Sequence, residues 1–206
     1  MVVCLLVFGI LAAAYVFDWG VASLDSSLGV GLVSRATPAC KTFFRAVTVL
    51  GNTYFVAPFS ILIGLVFILK KQWQRVVIFA LAICSSMLLN SLSKLFFARV
   101  RPAFTQAPHT MTSFSFPSGH AMMAVLMFGI LVYLLMPLIK QKTARAALLG
   151  GAIVLTLLVG FSRLYLGLHY LSDVLAGFAF SAFLLLLLLF ADQTGFFGKT
   201  PIQKLY

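Results

Sequence analysis

LSDVLAGFAFSAFLLLLLLFA, residues 171–191, decides the fold. The run carries one charge, Asp173, and has the ~20-residue length that crosses a hydrocarbon core as an α-helix. Its block from Phe183 to Phe190 is apolar without a break. A membrane β-strand would instead alternate apolar and polar residues over about ten positions. The segment therefore predicts a transmembrane helix.

Working outward, the runs Val2 to Phe17, Tyr54 to Leu69, Val76 to Phe97, Ala121 to Ile139 and Ala146 to Phe161 have similar composition. Together they predict an all-α, six-helix transmembrane bundle forming one domain over residues 1–206. Composition agrees. With 62% hydrophobic residues, 9% charged residues and a mean hydropathy of +1.10, the chain cannot present a surface compatible with water. The first run is expected to be a retained helix and not a secretory signal: no Lys or Arg precedes Val2, and Ala12-Ala13-Ala14 lies inside the apolar run.

Asp18 to Thr53 is the one sizeable stretch expected outside the spans. Within it Thr37 as cap, Pro38 at the first position and Gly51 at the end predict a helix after the first span. Lys41 and Arg45 lie one turn apart there, with Phe43, Phe44, Val47 and Leu50 nearby. Such a helix suits the membrane interface, with its cations toward lipid headgroups. Packing over the bundle is the alternative.

Lys70, Lys71, Arg75, Lys140, Lys142, Arg145, Lys199 and Lys204 all fall on one side of a six-span chain and supply eight of its fifteen Lys and Arg residues. By the positive-inside rule that side is cytoplasmic, and both termini lie there. The net charge of +11 is thereby explained without nucleic acid as a partner. Cys4, Cys40 and Cys84 have neither disulfide nor zinc-site spacing. Oligomeric state is not legible.

Three polar islands interrupt the apolar chain, and ionisable residues near spans carry a desolvation cost that only a role offsets. The topology brings all three to the outer face. In the first, Lys94 and Arg101 are seven positions apart, so on one helix they would share a face and close around an anion. Pro102 places Arg101 at a helix end. Arg99 reads as a residue whose charged head snorkels to the interface.

In the second island, Pro117 suits a first helical position, leaving the amides of Ser118, Gly119 and His120 as unpaired donors at a helix N-terminus, which is an anion site. Gly119 lets an anion approach the backbone, and His120 is placed to exchange a proton with it. In the third, His169 and Asp173 are four apart, so the carboxylate can take the proton of one imidazole nitrogen and leave the other bare as nucleophile or base. A satisfied buried pair is the structural alternative. Gly167 is expected to form a turn bringing Arg163 back toward the histidine.

Lys94-x6-Arg101-Pro102, Pro117-Ser118-Gly119-His120 and Ser162-Arg163-x5-His169-x3-Asp173 resemble the three signature motifs of the type 2 phosphatidic acid phosphatases, the PAP2 superfamily. The resemblance implies that Lys94, Arg101 and Arg163 clamp phosphoryl oxygens, with Ser118 and Gly119 adding hydrogen bonds. It implies that His169 attacks phosphorus to form a phosphohistidine, that Asp173 orients it, and that His120 protonates the leaving oxygen. Three cations would stand where other phosphatases use a metal, so no cofactor is expected. His109 matches no motif position. A zinc site of His109, His120 and His169 has the wrong spacing and too many cations nearby.

The implied substrate is a lipid phosphate or diphosphate drawn from the surrounding membrane lipids: undecaprenyl diphosphate, phosphatidylglycerophosphate or phosphatidic acid. The expected location is a bacterial cytoplasmic membrane with the site facing outward. A lipid-phosphate transporter or flippase could use the same cations, but it would not need the His169–Asp173 pair and tends to show paired broken helices.

Overall fold

The computed structural model describes residues 1–104 and 113–198, and His109 lies outside them. Among the described residues eight α-helices follow in order: α1 (Val2–Val16), α2 (Val21–Ser34), α3 (Pro38–Thr48), α4 (Thr53–Leu69), α5 (Trp73–Phe97), α6 (Gly119–Leu135), α7 (Lys142–Tyr165) and α8 (Leu171–Gln193). Short 3-10 turns extend α3 to Gly51 and α6 to Leu138. Among the described residues there is no strand.

Among the described residues four helices are long and apolar enough to span alone, namely α5, α6 with its 3-10 turn, α7 and α8. The count reaches the expected six when α1 with α2, and α3 with α4, each count as one bent span. α2 was not expected. It turns 94° away from α1 inside the stretch read as an outer loop.

α3 starts as its sequence predicts, with Thr37 Oγ1 accepting from the Cys40 amide at 3.3 Å and Pro38 at the first turn. The α-helix proper ends at Thr48, before Gly51. Its Phe44 packs against α7, with ring centroids 5.4 Å from Phe161 and 4.7 Å from Tyr165. Through this face α3 packs against α7, while Phe43 and Arg45 stay exposed.

The core centres on α6, whose Met122, Leu126, Met127, Ile130 and Leu134 are buried against Ile78, Phe79 and Ala82 of α5 and Leu184 of α8. In contrast, Leu149, Ile153, Val154 and Leu157 of α7 are exposed, as befits a helix whose outer flank meets lipid. Helices approach closely where side chains vanish. A Cβ on Gly177 of α8 would come within 2.8 Å of the Ser118 carbonyl oxygen, and one on Gly51 within 3.1 Å of the His120 carbonyl oxygen. These contacts press the N-terminus of α6 between its neighbours.

Candidate active site

The chain entering α6 is anchored by Phe116, which is fully buried and packs edge-on to Phe97 with centroids 4.8 Å apart. Ser118 is still extended and acts as the N-cap. Its amide donates to the Asp173 carbonyl at 2.9 Å, and its own carbonyl accepts the first helical bond, from Met122 at 3.0 Å. Pro117 therefore precedes the cap and is not the expected first helical residue. Because the Ser118 amide is spent on α8, the donors left for an anion at this helix end are the amides of Gly119, His120 and Ala121.

Gly119 is a glycine for a reason its motif did not reveal. Asn90 of α5 donates through Nδ2 to the Pro117 carbonyl at 3.1 Å, and its Oδ1 would lie 2.7 Å from any Cβ at position 119. The close neighbour is a side chain from the adjacent helix.

The third island folds as its spacing predicts. α7 ends at Tyr165, Gly167 adopts φ +67°, and the Arg163 carbonyl accepts from the amides of Leu168 at 3.0 Å and His169 at 3.3 Å. The turn ties His169 back to Arg163. Asp173, in the first turn of α8, accepts through Oδ2 from the Tyr170 amide at 3.0 Å and lies 3.3 Å from His169 Nδ1. Arg163 is buried and donates from Nη1 to Thr48 Oγ1 at 2.7 Å.

The first island departs from expectation. α5 stops at Phe97 because Ala98 takes a left-handed conformation, φ +46°, so Lys94 and Arg101 do not share one helix. That conformation costs a residue with a Cβ about 1 kcal/mol or more. It turns Arg99 inward, where the residue is 5% exposed and not at the interface. Its Nη1 bonds Asp173 Oδ1 at 2.7 Å and its Nη2 bonds Asp25 Oδ2 at 2.8 Å. Arg101 lies in the following segment, held by the Ser113 carbonyl at 2.8 Å and the Leu168 carbonyl at 3.0 Å, with Nη1 3.3 Å from His169 Nε2.

A guanidinium can only donate, so His169 Nε2 accepts and Nδ1 carries the proton toward Asp173. Burial above all, then the charges of Arg163, Arg101 and Lys94, hold the His169 imidazole well below its ordinary pKa. The result is a neutral, oriented imidazole beside three cations. Ser118 Oγ, His120 Nε2 and Arg163 Nε are buried with no hydrogen-bond partner. One such atom from each of α6's cap, α6's first turn and α7's last turn is what a polar ligand at this end of the bundle would satisfy. Among the described residues no three His, Cys, Asp or Glu side chains gather in a way that could hold a metal ion.

Residues 75–195 match the profile of the PAP2 superfamily. A phosphatidylglycerophosphatase B of Bacillus subtilis is 32% identical over 195 residues, covering 93% of this chain and 94% of its own. The chain belongs to the PAP2 superfamily. Its fold agrees: a crystal structure of a transmembrane PAP2 type phosphatidylglycerolphosphate phosphatase from Bacillus subtilis superposes with a TM-score of 0.85 at 34% identity, covering 94% of this chain and 96% of that one. An undecaprenyl-diphosphatase of Sulfolobus acidocaldarius is 27% identical over 160 residues, covering 75% of this chain and 69% of its own.

This PAP2 chain is an integral membrane phosphatase. Sequence reasoning found its motif residues but missed Asp25, Asn90 and Thr48, and it misplaced Arg99. A signal existed for Asp25, which is one of four acidic residues and sits in the apolar run VASLDSSLGV. A carboxylate there needs a partner.

Proposed function

We propose that the chain hydrolyses the terminal phosphate of a membrane lipid phosphate or diphosphate through a phosphohistidine at His169. The observation that carries this reading is the pairing of His169 Nδ1 with Asp173 Oδ2 at 3.3 Å, with Nε2 left as the acceptor nitrogen. Binding alone needs cations. An oriented imidazole with an unprotonated nitrogen is needed for chemistry, which argues against a transporter.

In the first step His169 Nε2 forms a bond to phosphorus while the bond from phosphorus to the leaving oxygen breaks, and His120 gives that oxygen a proton. Lys94, Arg101 and Arg163 stabilise charge on the equatorial oxygens, with Ser118 Oγ and the Gly119 amide donating to them. In the second step His120 takes a proton from water, the resulting hydroxide attacks phosphorus, and the nitrogen–phosphorus bond breaks to release inorganic phosphate. Both steps balance without a metal.

The substrate class follows from the relatives and from the exposed apolar flanks around the bundle. Phosphatidylglycerophosphate is the first candidate, with undecaprenyl diphosphate and phosphatidic acid beside it. The basic segments at the opposite end of the bundle support an outward-facing site in a bacterial cytoplasmic membrane, with both termini inside.

The test is phosphate release by detergent-solubilised protein from these three lipids, in excess EDTA, by the wild type and by His169→Ala. Release by the wild type from at least one lipid and none by the variant is expected. Near-normal release by His169→Ala removes the nucleophile assignment, and loss of wild-type activity to EDTA removes metal independence.

A further inference from the structure

We propose that Arg99 is a positioning residue of the phosphatase reaction: one arm of its guanidinium holds Asp173 in the orientation that engages His169, while the other is anchored to α2 through Asp25. The proposal rests on the reading of His169 and Asp173 given above.

Asp173 is fully buried, and its two oxygens are used differently. Oδ2 receives the Tyr170 amide at 3.0 Å and faces His169 Nδ1 at 3.3 Å. Oδ1 receives Arg99 Nη1 at 2.7 Å, the shortest of the three contacts. The terminal torsion of a carboxylate side chain is soft, so a group held through one oxygen can swing. Fixing the second oxygen fixes the face that Oδ2 presents to the imidazole.

Arg99 can do this because it is itself immobilised. Its guanidinium lies between two rings, 4.7 Å from the Tyr15 centroid and 4.2 Å from that of Tyr170. Nη2 reaches Asp25 Oδ2 at 2.8 Å, and Nη1 also reaches Ser172 Oγ at 2.7 Å. Asp25 in turn accepts the Ser172 amide at 3.0 Å through Oδ1 and the Ser172 hydroxyl through Oδ2. A planar fork serves two carboxylates in two directions at once, which a lysine ammonium does not reproduce.

The charges also fit the reaction. Two carboxylates and one guanidinium leave the cluster with a single net negative charge. When His169 bonds to phosphorus its ring gains positive charge, and this cluster balances it. Without Arg99 the same place would hold two buried, uncompensated carboxylates.

The test is a double-mutant cycle on the full chain in detergent micelles, reading turnover of dioctanoyl phosphatidic acid and inhibition by vanadate. Arg99→Met should lower kcat at least about tenfold while the vanadate inhibition constant stays within about threefold of wild type. Arg99→Lys should recover part of the loss. Arg99→Met/Asp173→Asn should be no slower than Asp173→Asn alone, within about threefold, because both act through one carboxylate. If Arg99→Met does not fold, the cycle is run with Arg99→Met/Asp25→Asn, which keeps the cluster's net charge.

Losses that multiply in the double variant, or a fall in vanadate affinity matching the fall in kcat, would show a merely structural residue and overturn the proposal. A slow Asp173→Asn beside a fast Arg99→Met removes this proposal alone. A fast Asp173→Asn removes the orienting pair and the proposal with it.

Discussion

Arg101 Nη1 stands 3.3 Å from His169 Nε2, so a permanent cation faces the nitrogen assigned to attack phosphorus. The guanidinium proposed to hold a phosphoryl oxygen also keeps that nitrogen free of a proton. Two consequences for pH follow from it.

An ordinary histidine titrates near about pH 6.5. His169 is held well below that by burial and by Arg163, Arg101 and Lys94, with Asp173 and His120 the other titratable groups near it. Its neutral form persists as pH falls through 6.5, so kcat/KM should show no loss attributable to His169 there. The unfolded chain, in contrast, gains a proton on this residue below about pH 6.5, so stability should fall with pH from that point downward. A kcat/KM profile together with thermal unfolding at several pH values checks both. An activity limb near pH 6.5 that vanishes only when position 169 is altered would contradict the first.

His120→Ala should be far more harmful for alkyl phosphate esters than for para-nitrophenyl phosphate, because an aryl leaving group needs little protonation. The buried, unpartnered Nε2 of His120 is the atom assigned to that transfer. Comparing kcat across leaving groups decides it, and equal losses would make His120 structural.

Gly119→Ala should be strongly impaired, since the new methyl would meet Asn90 Oδ1 at 2.7 Å. Asn90→Ala should cost about 1 kcal/mol through its lost bond to the Pro117 carbonyl. The double variant should lose less than the two single losses combined, because removing Asn90 makes room for the methyl. Thermal unfolding and turnover measured on all three, with simple additivity, would separate Gly119 from Asn90.

Sidedness can be read with cysteines. With Cys4 and Cys84 replaced by Ser, the exposed Cys40, at the site's end of the bundle, should react with a membrane-impermeant maleimide in intact cells. With all three native cysteines replaced and Thr143→Cys introduced, labelling should require lysis. The reverse pattern would place the site in the cytoplasm.

What was legible in the sequence is what local spacing encodes. The runs of apolar residues, the cap at Thr37, the turn at Gly167 and the four-residue step from His169 to Asp173 depend on neighbours within a few positions. Arg99 was misread because its partners lie 74 positions away on either side, Asp25 before it and Asp173 after. A lone arginine near the end of a span carries no local mark that separates an interfacial head from a buried bridge. Likewise the reason for Gly119 sits on α5, and the partner of Arg163 is Thr48, 115 positions earlier. The left-handed Ala98 that parts Lys94 from Arg101 has no glycine to announce it.

The link between Asp25 and Ser172 joins chain positions 147 apart. During biogenesis, a nascent polypeptide that has threaded α1 through α7 into the bilayer still carries Asp25 and Arg99 without the N-terminus of α8 that completes their cluster. α8 also brings Asp173 and the Gly177 surface that packs against the cap of α6. With Asp173 assigned to orient His169, a chain terminated before α8 is expected to be inert.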